Sequence, residues 1–463
     1  MSTAILKITK DLRKTVYPSI LLTINQTIHI LGRIIIVAIL AKVSKETFAA
    51  SAFIFSILSL STLSYYFLSA ISLLIRRSLN ENDTHKTQLI VQSSFLVSIM
   101  LGILIIGFFF YLNPILRIFN LPNQIIPIVI DFFKSYSYAV IPICIFYALQ
   151  SIFIGLSSYY WVILSNIIST TITIFFIYMG SLGKFGLSEF NVDMIGYMFL
   201  VYGILGTLIM GIPLFRYFSL DLFKFKIKKC FEKIGDILRL GFVISLQNAY
   251  ELILQFININ MVGWLTLDCV AIQHFFNQYK LCAVMFIIGC SQATSLAVSQ
   301  YFNSPFSNNI KKQIKYHLLI GTLIITILVI GIWIFFEYLA LYYLGKIYIE
   351  QKALIHKLFL MITLGLFIYM FRNLCFAALR GLFDNVKPLY FCISINFLFG
   401  IPLDYYLAFT LNLGIIGINI GAILTTTILG ILLFVRLKNK IKDHEASGSQ
   451  KLAVSQTTKF KVF

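Results

Sequence analysis

Long apolar runs separated by short polar breaks make up most of the chain. A helix that crosses a bilayer needs about 20 predominantly apolar residues. Runs of that length lie at roughly 16–42, 49–75, 88–113, 124–155, 160–180 and 193–215, and again at roughly 239–264, 270–300, 315–343, 353–381, 388–411 and 414–436. The alternating polar and apolar segments of an outer-membrane barrel are absent. The pattern predicts an all-α, polytopic membrane protein of twelve transmembrane helices. Its widest polar break, Arg216 to Arg239, leaves six spans on each side. The expected organisation is an N-terminal lobe at 1–215, a basic cytoplasmic linker at 216–239, a C-terminal lobe at 240–437 and a polar, disordered cytoplasmic tail at 438–463.

Composition agrees with the pattern: 59% hydrophobic and 12% charged residues, with a mean hydropathy of +0.89, do not suit a soluble globule. The net charge of +19 suggests nucleic acid until the basic residues are placed. With both termini inside, most of the 37 Lys and Arg fall in inner segments: before the first span, at Arg76, Arg77 and Lys86, from Arg216 to Arg239, at Lys311 to Lys315, at Arg380 and Lys387, and from Arg436 onward. This is the positive-inside distribution, with cytoplasmic anchors lying against anionic lipid. It orients the chain with both termini in the cytoplasm, makes the lipid bilayer a partner and argues against a nucleic-acid partner; the expected location is a plasma membrane (the inner membrane of a bacterium).

Seven cysteines, most of them inside spans, form no spaced framework, so neither disulfides nor a metal site is expected. No small-residue cleavage site follows the first apolar run, which reads as a retained span. The sequence has no phosphate-binding loop, no HExxH and no paired His or Asp cluster within a span, so an enzyme is not expected, nor a resident cofactor.

Ionisable residues inside spans are costly and mark function. Glu251 lies near the middle of the apolar stretch Gly241 to Trp264. At about 1.5 Å per helical residue, Glu251 lies about 18 Å from the inner end of its span, Lys280 about 15 Å from the outer end of the eighth and Arg372 about 13 Å from the inner end of the tenth. All three fall near the midplane. Helical spacing aligns Asn248, Glu251, Gln255 and Asn258 on one face of the seventh span, and Gln273, Asn277 and Lys280 on one face of the eighth. Such stripes either bond to one another between helices or line a hydrated cavity. Three ionisable groups at one depth favour the cavity, with Arg372 and Asn373 on its wall.

Burial penalises a carboxylate and a neighbouring cation favours it, so a small rearrangement can load or unload a proton at Glu251. Sodium is the alternative coupling ion, with amide oxygens available at Asn248, Gln255 and Asn277. Asp404, after Pro402 in the outer third of the eleventh span, reads equally as an exit-gate acid or a water-facing carboxylate. In the first span, Asn25, Gln26, His29 and Arg33 are candidates for cavity lining or for bonding between helices. Asp131 with Lys134, and Glu337, read as interfacial.

The halves also repeat. Sliding the first along the second by 222 residues places AKVSKETFAASAF at Ala41 opposite GWLTLDCVAIQHF at Gly263 and NQTIHILGR at Asn25 on QNAYELILQ at Gln247, and a shift of 226 places Gly155-Leu156 on Gly381-Leu382. At the shift of 222, His29 faces Glu251. With an even number of spans per half, the copies run the same way up, as two pseudo-symmetric six-helix lobes with a substrate path between them.

The stretches RLGFVISLQNAYE at Arg239, AIQHFFNQYKLCAVMFIIGCSQATSLAVSQ at Ala271 and AALRGLFDNVKPLYFCISINFLFGIPLDYYLAF at Ala377 resemble the multidrug and toxic compound extrusion (MATE) family. The first half is similar more loosely, through YPSILLTINQT at Tyr17, FAASAF at Phe48 and GKFGLSEFNVDMIGY at Gly183. The family belongs to a superfamily (MOP) that also holds lipid-linked oligosaccharide flippases. The resemblance implies a two-lobed exporter that exchanges an amphipathic or xenobiotic solute for protons or sodium by alternating access. It places Glu251 where members carry a coupling glutamate.

Two departures stand beside it. Arg33 or Ile36 aligns with the first-helix aspartate of bacterial members, and Tyr369 aligns with an aspartate that some carry in the tenth helix. Proton coupling through Glu251, in a monomer acting on a small-molecule substrate, is the preferred expectation. A lipid-linked oligosaccharide or polysaccharide flippase is the alternative. Lys280, Arg372 and Arg33 outnumber the midplane acids, which leaves an anionic or zwitterionic substrate open.

Overall fold

The computed structural model describes residues 17–29, 31–33, 35–36, 39, 54–55, 57–58, 62–118, 125–181, 192–217, 227–301 and 307–459. The described part of the first span is helical over 17–29 (α1), and that of the second over 62–68 and Ala70–Asn80 (α2). The following helices are α3 (Thr84–Phe110), α4 (Ile125–Gly155), α5 (Tyr159–Ser181), α6 (Val192–Tyr217), α7 (Ile227–Gly263), α8 (Leu267–Ser299), α9 (Ser307–Leu344) and α10 (Lys352–Gly381). The eleventh span, α11 (Val386–Thr410), changes pitch twice, with π-helical turns at Ile395–Gly400 and Tyr406–Thr410 on either side of Ile401–Tyr405. The last helix is α12 (Gly414–Lys459).

Ten described helices are long and apolar enough to cross a membrane. The protein is an all-α, multi-pass membrane protein. α9 illustrates the solvent it was built for: it is strongly apolar, yet little of it is buried. Leu323, Ile327, Trp333, Ile334 and Phe335 all point outward, as suits a helix facing hydrocarbon.

Two segments differ from the sequence expectation. α7 already begins at Ile227, inside the stretch read as a linker, because Ile234 and Ile237 recur at helical spacing and bury. α12 continues as helix to Lys459, through the stretch read as a disordered tail. The first part of that stretch, KNKIKDHEA, holds neither Gly nor Pro to stop a helix.

The chain forms two compact units, Ile24–Ser245 and Met1–Thr23 with Leu246–Phe463. The divisions fall within α1 and α7. Up to Ser245, α7 is tied to the first unit: Ser245 Oγ donates to the carbonyl of Leu63 (3.0 Å), and Gly241 lies against the carbonyl of Phe67.

Within the first unit α4 packs against α2, α3 and α6; within the second α10 packs against α8, α9 and α12. The likeness extends to single hydrogen bonds. At the end of α4, Ser157 adopts φ 62°. Its N–H bonds to Ile154 O (3.0 Å) and that of Ser158 to Phe153 O (2.9 Å). At the end of α10, Phe383 adopts φ 57°; its N–H bonds to Arg380 O (3.0 Å) and that of Asp384 to Leu379 O (3.0 Å). Both are Schellman caps, and they occupy the positions overlaid in the sequence repeat. The preceding glycines match too. A Cβ on Gly155 would lie 3.0 Å from Ser72 O and 2.9 Å from Ile75 Cβ on α2; one on Gly381 would lie 2.5 Å from Ser295 O and 2.8 Å from Val298 Cβ on α8.

Gly381→Ala is therefore expected to destabilise the second unit by about 1–3 kcal/mol through overpacking, read as a lowered Tm in detergent. Gly107→Ala, at a helical position with no atom within 4 Å of the new Cβ, is expected to leave Tm unchanged or raised.

Candidate functional site

The second unit carries an ionised cluster within apolar helices. α7 supplies Tyr250 and Glu251. α10 supplies Tyr369, Arg372 and Asn373, whose spacing puts them on one face. Arg372 Nη2 forms an ion pair with Glu251 Oε1. The Tyr369 hydroxyl donates to Oε2 (3.1 Å) and the Tyr250 hydroxyl to Oε1 (3.3 Å). Asn373 bonds back to the carbonyl of Tyr369 (2.8 Å) and accepts from Arg372 Nη2 (3.4 Å). The guanidinium also sits 4.5 Å from the centre of the Tyr369 ring, a cation-π contact.

Exposure is unequal: 7% for the Arg372 side chain and 28% for Glu251. The cation is enclosed and fixed, while the carboxylate is reachable from one side. Such an arrangement ties the carboxylate to the guanidinium by charge-assisted hydrogen bonds.

Sequence reasoning expected Lys280 in the same cluster, and here the structure differs. Among the described residues Lys280 has no carboxylate partner; its ammonium donates to Asn419 Oδ1 (3.4 Å) on α12. Asn419 donates in turn to Gln273 Oε1 (3.2 Å) and to the carbonyl of Ile415, and Gln273 donates to Asn277 Oδ1 (3.3 Å). The stripe on α8 is thus a separate network. Asn419 completes it and escaped the sequence reading, although it is the one amide in the apolar run Gly414 to Val435.

The other members of the stripe on α7 differ in exposure. Asn248 and Asn258 are half-buried and Gln255 is exposed. Asp404 is buried against Gly421 of α12 and joins neither network.

In the first unit the polar centre is neutral. Its hub is Asn166 of α5: Nδ2 donates to Asn25 Oδ1, and Oδ1 accepts from Gln150 (3.0 Å) and from Tyr202 (3.1 Å). The Tyr202 hydroxyl also approaches His29 Nδ1 (3.5 Å). Gln26 donates to the Tyr65 hydroxyl (3.1 Å). Asn25 and Gln26 therefore bond between helices. Arg33 is exposed and leans on Phe55, with a hydrogen bond to its carbonyl (3.4 Å) and 5.0 Å to its ring. In the register of the cap overlay, Arg372 and Tyr369 of α10 correspond to Phe146 and Ile143 of α4, so the charged pair has no counterpart there. Asp131 pairs with Lys134 (3.4 Å), and Glu337 with Lys352 (3.1 Å), all on exposed surface.

The MatE family model matches the chain over two stretches, 19–179 and 244–406. The chain belongs to the MatE family. Its fold is that of solved MATE structures: one in a bent conformation (TM-score 0.85, 18% identity, 94% of this chain and 97% of that one), and an outward-facing multidrug resistance MATE transporter of the MOP superfamily (TM-score 0.83, 18% identity, 94% and 96%). A third is a MOP transporter from Pyrococcus furiosus, described by a binding pocket of reverse polarity that suggests a different function (TM-score 0.83, 18% identity, 94% and 96%). No curated protein matches the chain. This MatE protein is a multi-pass membrane transporter, built on the twelve-helix, two-lobed plan of those structures.

Proposed function

We propose that this transporter is a cation-coupled exporter of small amphipathic solutes, working by alternating access in a plasma membrane with both termini in the cytoplasm, and that Glu251 is its coupling carboxylate. The observation that carries this reading is the geometry at Glu251: a partly accessible carboxylate against one enclosed guanidinium and two phenol hydroxyls.

Protonation neutralises Glu251 and ends its ion pair with Arg372, so α7 and α10 no longer attract through a full charge pair. Tyr369 and Tyr250 can still bond to the neutral acid, so its position is kept while the charge changes. Loss of the proton on the cytoplasmic side restores the pair and resets the unit. The proton is preferred to sodium because Glu251 bonds to no second carboxylate among the described residues.

One observation favours a substrate that carries an anionic group. Arg372 is neutralised by Glu251, whereas Lys280 has only an amide oxygen. A lipid-linked oligosaccharide, with its phosphate, falls within that chemistry. The test is reconstitution into liposomes with an imposed proton or sodium gradient and a panel of cationic and anionic dyes. Accumulation of a dye driven by the pH gradient is the expected result. Accumulation driven by sodium alone, or by neither gradient, refutes proton coupling.

A further inference from the structure

The seam between α11 and α12 holds a second acid that the Glu251 site does not use. Asp404 is 4% exposed and Thr425 3% exposed. Asp404 Oδ1 and Thr425 Oγ1 are both buried without a hydrogen-bond partner.

The two side chains belong to one tightly packed strip. Gly400 and Asp404 lie one turn apart on α11, and Gly421 and Thr425 one turn apart on α12. A Cβ on Gly421 would overlap Asp404 Oδ1, and one on Gly400 would lie 3.2 Å from Thr425 Oγ1. No charged or titratable residue lies on α12 between Gly414 and Val435, and the turns of α11 around Asp404 add only Tyr405 and Tyr406.

Leaving two oxygens unpaired in such a place costs free energy, most for a carboxylate. Native structures keep such a defect where something else satisfies it. The acid also sits on the short α-helical turn between two π-helical ones. A change between i+4 and i+5 bonding re-aims a helical turn, and π turns are frequent at functional sites.

We propose that Asp404 and Thr425 form a site for a small monovalent cation, a proton or sodium, distinct from Glu251, and that filling it changes the pitch of α11. An anion is excluded by the carboxylate, and a larger cation by the close packing at Gly400 and Gly421. A divalent ion would lack a second carboxylate.

Trp264 reports on this helix directly. Its ring lies 6.0 Å from that of Phe409, inside the second π turn, and Phe409 lies 5.0 Å from Tyr405, the neighbour of Asp404. The full-length protein, with Trp161→Phe and Trp333→Phe so that Trp264 remains the sole tryptophan, is titrated in detergent: with NaCl against choline chloride at fixed pH, then with acid in the absence of sodium. The expected result is a saturable change in Trp264 emission in one arm, which names the ion. It is lost in Asp404→Asn, weakened in Thr425→Val, retained in Thr425→Ser and retained in Glu251→Gln.

Two results overturn the proposal: no response in either arm, or a response that survives both Asp404→Asn and Thr425→Val. If Asp404→Asn fails to fold, the Thr425→Val and Thr425→Ser pair decides alone. The readout is binding, so failure here leaves coupling at Glu251 standing, and failure of coupling leaves this site standing.

Discussion

Glu251→Gln is expected to reduce proton-driven dye accumulation to the level of protein-free liposomes while the protein still folds. The glutamine keeps the size of the glutamate and can still accept from Tyr369, so α7 and α10 remain packed. It can neither carry the negative charge that pairs with Arg372 nor bind and release a proton. Both halves of the proposed cycle, pairing and release, are therefore removed. Glu251→Asp tests the geometry separately: it titrates but is shorter by one methylene, so it should keep a weakened, gradient-dependent activity.

Arg372→Ala is expected to destabilise the second unit strongly. Removing one partner of a buried ion pair commonly costs roughly 3–5 kcal/mol, because the other charge is left desolvated. Glu251 is 28% exposed, so water relieves part of the penalty and about 3 kcal/mol, the low end of that range, is expected. The loss should appear as a lower Tm in detergent. The double variant Glu251→Gln with Arg372→Gln should lose less than the sum of its single changes, since neither charge is then left alone; additivity would mean that the two do not interact.

How much of this was legible beforehand depended on the kind of signal. Helix positions were readable because apolar runs of bilayer length have few alternative structures. The repeat was readable at Gly155-Leu156 and Gly381-Leu382 because backbones approach closely there, and the matching caps at Ser157 and Phe383 reflect the same constraint. Glu251 and Arg372 could be singled out because charges are rare in spans.

Partners were a different matter. Lys280 and Arg372 have similar depth and the same charge, and only the rotation of α8 and α10 decides which of them meets Glu251. Asn166 and Asn419 were missed as hubs, since a single amide in an apolar helix reads the same whether it organises a network or bonds to its own backbone. Tyr250 was hidden among 25 tyrosines, and Tyr369 stood out only as a departure from the family's aspartate, with nothing to show that its hydroxyl meets Glu251. The unpaired oxygens of Asp404 and Thr425 depend on two helices packing at glycine, which a linear sequence does not display.

The central claim is that Glu251 carries the proton to which substrate movement is coupled, and the most direct measurement is the change in bound protons on substrate addition. In weakly buffered detergent solution, with a pH indicator and a dye that the reconstituted protein transports, wild type is predicted to take up protons as an anionic dye binds or to release them as a cationic dye binds, and Glu251→Gln to bind dye with no change in bound protons. An equal proton change in the two proteins would contradict the account.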